Sequence, residues 1–155
     1  MSARRGGLAV LLCGAACAVP LSVAVPTAHA DAGLGGCAHG GVLSGTMIPG
    51  TGSAGQSIRR EADVWGCASP FLPGVASGHF GAELPWNSLD APSLGQFAWN
   101  DGSVSKVIGQ PNGLWTIVAG PGNGHTFRFD LAGEMNVWWY HWNNSMPIDS
   151  VSFLE

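Results

Sequence analysis

Glycine and proline decide what this chain can build. The 155 residues include 24 glycines and 10 prolines, spaced so that nothing after the first thirty residues sustains an apolar period of 3.6. That excludes helix as the main element and leaves short extended runs between turns. Val42 to Ile48 reads as a strand stopped by Pro49-Gly50, and Ser57 to Cys67 as a second, with Ile58 and Val64 as core positions. From Gly78 to Leu84, Phe80, Ala82 and Leu84 alternate with His79, Gly81 and Glu83, the period of two expected of a half-buried strand. Gln96–Trp99 and Ser103–Ile108 flank Asn100-Asp101-Gly102, a hairpin signal because glycine accepts the positive φ that a tight turn demands. Leu114–Ala119 and His125–Leu131 pair in the same way across residues 120–124. Glu134 to Trp142 reads as an aromatic-rich strand, and Ile148 to Leu154 as a final one. About eight short strands with frequent turns predict an all-β domain, an antiparallel sandwich or a small barrel.

The first thirty residues obey other rules. Arg4 and Arg5 precede an uncharged apolar run from Leu8 to Val25, and Pro26-Thr27-Ala28-His29-Ala30 follows. Small residues at Ala28 and Ala30 complete a secretory signal peptide cut between Ala30 and Asp31. A retained membrane anchor is the rival reading, since the run is near the lower limit for a span, but Gly14, Ala15, Ala16 and Ala18 keep it only modestly apolar. A second rival is lipidation at Cys37, because Leu34-Gly35-Gly36-Cys37 resembles a lipobox. His29 and Asp31 separate that motif from the apolar run it should close.

Cleavage leaves a single domain, residues 31–155, with no stable membrane span. Arg4 and Arg5 depart with the leader, so Arg59, Arg60, Lys106 and Arg128 face all ten acids. Four scattered cations make no nucleic-acid footprint, and nucleic acid is excluded as a partner. Cys13 and Cys17 also leave. Cys37 and Cys67 remain, and outside the cytoplasm two thiols pair. A Cys37–Cys67 bridge stabilises by about 3–4 kcal/mol on chain-entropy grounds. His39 lies close to Cys37, but no second Cys/His pair completes a tetrahedral set, so neither a metal nor a cofactor is expected.

Trp138-Trp139-Tyr140-His141-Trp142 is the densest aromatic stretch. In a strand Trp138, Tyr140 and Trp142 share one face, giving either core packing or a platform for a sugar ring or partner. Hydrolytic chemistry needs an acid and a histidine brought together. The available groups are His39, His79, His125 and His141, with Glu83, Glu134, Asp101 and Asp130 as acids. His125 and Asp130 differ in strand parity and should face opposite ways. No spacing selects a carboxylate pair, and no nucleophile-elbow or zinc-protease motif occurs. Asn143-Asn144-Ser145 matches a glycosylation sequon, a short pattern of little weight.

Several features extend over most of the mature chain. They are Cys37, the Gly45–Gly50 stretch with its Pro-Gly, Cys67, Trp99-Asn100-Asp101-Gly102-Ser103-Val104-Ser105, Leu131-Ala132-Gly133 and Pro147-Ile148. In these the chain resembles a loose group of small secreted actinobacterial β-sandwich proteins of unassigned function. The resemblance implies an extracellular β-sandwich and brings no catalytic residues.

The expected function is a non-catalytic extracellular module binding a polysaccharide, an envelope component or a protein. The motive is the concentration of Trp86, Trp99, Trp115, Trp138, Trp139 and Trp142 in a weakly charged domain. A small secreted hydrolase is the alternative. A pore subunit is a third reading, which the modest strand lengths oppose.

Overall fold

A computed structural model describes residues 34–88, 91–132 and 143–154. The leader, its Ala30/Asp31 cleavage point and the Glu134–Trp142 strand, with Trp138, Tyr140 and Trp142, lie outside the described residues.

Among the described residues ten strands follow in chain order: β1 (Gly36–Gly40), β2 (Val42–Leu43), β3 (Thr46–Pro49), β4 (Gln56–Ala68), β5 (Ser77–Pro85), β6 (Ser93–Trp99), β7 (Val104–Gly109), β8 (Leu114–Ala119), β9 (Thr126–Leu131) and β10 (Met146–Leu154). A 3₁₀ turn, Ser53–Gly55, lies between β3 and β4. From β4 to β10 each strand pairs antiparallel with the next. β1 pairs with both β10 and β4, which closes an eight-stranded ring.

The fold is therefore an up-and-down barrel, not the sandwich that the resemblance implies. Alternation looks the same in both architectures, and the difference lies in β1. Its Gly-Cys-Ala-His-Gly sequence has no apolar period, and sequence reasoning assigned it no strand. It is extended because its backbone is hydrogen-bonded on both sides. β1, β2 and β3 run along β4 as one interrupted strand. Gly36 faces Ala68, whereas Thr46 faces Arg59, a shift of one residue. The bonds Gly41 N to Asp63 O and Ser44 N to Glu61 O carry the ladder across the break.

Inward positions are filled by rings. Phe80 lies 5.1 Å from Phe97, 5.0 Å from Trp115 and 4.8 Å from Phe129, centroid to centroid, and all are buried. Burying each such side chain contributes about 1.5–3 kcal/mol. Both core tryptophans lie across a paired glycine. The Trp99 ring fills the space a Gly78 side chain would need, and the Trp115 ring lies 2.8 Å from where a Cβ of Gly109 would stand. Trp99 Nε1 donates to Ser105 Oγ at 2.8 Å, and Ser105 Oγ in turn donates to the carbonyl oxygen of Pro121 at 2.6 Å. At the end of the barrel where β4 finishes, the loop after Ser69 buries Leu72 and Val75.

Candidate functional site

With the described interior packed by aromatics, exposed chemistry falls on the outer wall, most of it on β4, β5 and β6. Register arranges their outward residues in rows: Arg59–Glu83–Leu94, Glu61–Gly81–Gln96 and Asp63–His79–Ala98, with Trp65 opposite Ser77 beyond. Two shallow depressions of about 370 Å³ each lie end to end along these rows. One is lined by Arg59, Glu61, Gly81, Glu83 and Gln96, the other by Asp63, Trp65, Ser77, His79 and Asn100. The two share no lining residue and border each other along the sheet as a shallow trough crossed by the Asp63–His79 pair; Gly81 leaves open space in the first, where a built Cβ meets nothing within 4 Å.

At one end stands Trp65, 45% exposed, with the His39 ring of the neighbouring strand 6.1 Å away and tilted by 33°. Asp63 Oδ1 and His79 Nδ1 meet at 2.8 Å. This is the acid–histidine meeting that a hydrolase needs, made by a pair that the sequence could not select. Both side chains are exposed, and among the described residues no hydroxyl or thiol hydrogen-bonds to His79. Glu61, facing the glycine gap, takes part in neither ion pair of the described residues.

The other expected groups go elsewhere. Asp101 holds its own turn, accepting from Ser103 N at 2.9 Å and Ser103 Oγ at 2.6 Å, and the Ser103 bonds keep its carboxyl below the ordinary range. Asp130 sits on β9, where burial works to raise its carboxyl. Bonds from Ser152, Arg128 and Ser150 outweigh that and hold it low. His125 stacks on Phe71 at 3.5 Å, so His125 and Asp130 are not brought together. Glu83 reaches the trough; His141 and Glu134 lie outside the described residues. Trp99 and Trp115 are core, and Trp86 packs partly buried against it.

Cys37 and Cys67 form the expected disulfide. Arg60 points into the barrel, fully buried, donating to Asn144 O at 2.6 Å and Ser44 O at 3.3 Å. Burial lowers its pKa to about 10, so it remains a cation at neutral pH. Among the described residues no three His, Cys, Asp or Glu groups gather at metal-binding spacing, and no helix is long and apolar enough to cross a membrane.

Trp65 escaped sequence reasoning because its strand shows only Ile58 and Val64 as clear core positions. Its parity with Arg59, Glu61 and Asp63, all charged, was the available signal. No family model, curated protein or solved structure matches the chain.

Proposed function

We propose that this is a secreted, non-catalytic binding module whose ligand is a polysaccharide lying along the β4–β6 trough. The observation that carries the reading is the half-exposed Trp65 ring at the end of a trough walled by polar side chains held in a sheet. An aromatic platform with fixed hydrogen-bonding groups beside it suits a sugar ring, which has apolar faces and a polar rim. The open ends suit a chain more than a compact metabolite. Charged residues on the outer wall, among them Arg59, Glu61 and Asp63, oppose a lipid-facing barrel. The loose resemblance to small secreted actinobacterial proteins supports an extracellular setting. Trp138, Tyr140 and Trp142 form a second proposed contact, on the segment joining β9 to β10.

Affinity electrophoresis of the purified, disulfide-bonded protein in gels containing soluble glycans tests the reading. Retardation by at least one glycan, weakened in Trp65→Ala, is expected. Equal mobility of the two proteins in every glycan sinks it.

The Asp63–His79 pair favours a hydrolase as the second reading. Glycan turnover by the protein, abolished in His79→Ala, would put that reading first.

A further inference from the structure

We infer that Asn123 is a site of spontaneous chemical modification, where the chain converts its own asparagine to aspartate and isoaspartate through a cyclic imide. The chemistry needs an asparagine side chain that can fold onto the next backbone nitrogen, and a glycine there offers the least obstruction. The sequence has two such pairs, Asn112-Gly113 and Asn123-Gly124. One lies in the turn between β7 and β8, the other in the turn between β8 and β9, and both asparagines are exposed.

Their restraints differ. Asn112 Oδ1 accepts from Leu114 N at 3.1 Å, and Gly113 N donates to Gln110 O at 3.0 Å, so electrophile and nucleophile are both held. In the 120–124 turn the anchored arm is Pro121-Gly122. Pro121 O accepts from Ser105 Oγ, and Ile117 packs 2.8 Å from where a Cβ of Gly122 would stand. Asn123 and Gly124 lie beyond those anchors, exposed, and a Cβ built at Gly124 meets nothing within 4 Å. The Asn123 side-chain amide makes no hydrogen bond among the described residues. One restraint remains, the bond from Gly124 N to Ile117 O at 2.8 Å. It is the last rung of the β8–β9 hairpin, where local opening is easiest. Asp101-Gly102 is the acidic counterpart, and there Ser103 N and Ser103 Oγ both hold the carboxylate.

In the reaction Gly124 N attacks Asn123 Cγ and gives up its proton, which leaves with the side-chain nitrogen as ammonia. The new C–N bond closes the imide ring as the bond from Cγ to the departing nitrogen breaks. Water then opens the ring at either carbonyl, giving an aspartate or an isoaspartate carboxylate. Both products add a negative charge to the turn. Isoaspartate also inserts a methylene into the backbone ahead of Gly124, which draws Gly124 N away from Ile117 O and loosens the end of the hairpin.

Peptide mapping by mass spectrometry tests the assignment, on the folded, disulfide-bonded protein aged at mildly alkaline pH in heavy-oxygen water, which labels each converted residue. Asn123 should convert about fivefold faster than Asn112, the factor set by the additional hydrogen bond on the Asn112 side chain. In urea, with the disulfide reduced, the two rates should converge, because both pairs then sit in an open chain. Equal rates in the folded protein, or faster conversion at Asn112, overturns the assignment. So does conversion of neither while the unfolded chain converts both. A difference of the same size in urea overturns it as well, since neighbouring sequence and not the turn would then set the order.

Discussion

Cys37 and Cys67 are direct register partners across the β1–β4 seam, so the disulfide lies where the barrel closes. The bridge spans a sequence separation of 30, and removing it should cost about 3–4 kcal/mol. Cys37→Ala/Cys67→Ala should therefore show a lower urea midpoint. Its amide exchange should rise first in β1 and stay slow in β5 to β8, because those strands keep both neighbours. Uniform acceleration through all strands would show that the seam is not the weak point.

Gly81→Thr should separate folding from binding. Glycine weakens a strand interior, and a β-branched residue in that open, outward position should stabilise the fold by up to about 1 kcal/mol. The same side chain fills the open space beside Glu61. A higher melting temperature with weaker retardation in glycan gels is expected; unchanged retardation would remove Gly81 from the site.

Much of this was legible beforehand, for identifiable reasons. The β5 alternation of Phe80, Ala82 and Leu84 and the Asn100-Asp101-Gly102 hairpin are local signals. The hairpin closes through Gly102 N to Trp99 O at 3.0 Å and Trp99 N to Ser103 O at 2.9 Å. The disulfide followed from expecting Cys13 and Cys17 to leave with the leader, which left Cys37 and Cys67 to pair. Closure was not legible, because Gly36–Gly40 owes its strand to partners on β4 and β10. Nor was the Asp63–His79 pair, which depends on the register that the loop between β4 and β5 imposes.

Ser105→Ala should cost about 1–3 kcal/mol, leaving the buried Trp99 indole N–H without its acceptor. A double-mutant cycle with Trp99→Phe, read by urea denaturation, should give a coupling well above zero. Strict additivity would refute the link.

Gly78→Ala should destabilise by about 1–3 kcal/mol, because its methyl needs the space of the Trp99 ring. Near-ultraviolet circular dichroism should report the displaced indole. An unchanged spectrum and midpoint would mean that the ring shifts without penalty.

Asp130 should govern acid stability. Its folded carboxyl is held below the ordinary value, near 3.9 for an unfolded chain. The folded state therefore binds the proton less readily. Its contribution is fully present well above about pH 4 and disappears as the pH falls through the folded value. Asp130→Asn should flatten the acid limb of the stability curve measured by urea unfolding. Parallel curves for the two proteins would place acid sensitivity elsewhere.

The pairing of β1 with β10 has a consequence for the order of events during biogenesis. Gly36 lies opposite Ser152, so no nascent chain can complete its ring until β10 has emerged. Until then the meander is an open sheet with two unpaired edges, the state most prone to pair with other chains. A contact between strands so far apart in sequence also slows folding, because a long loop must close before its hydrogen bonds form. Premature termination anywhere before β10 thus yields a sheet with sticky edges, not a smaller barrel.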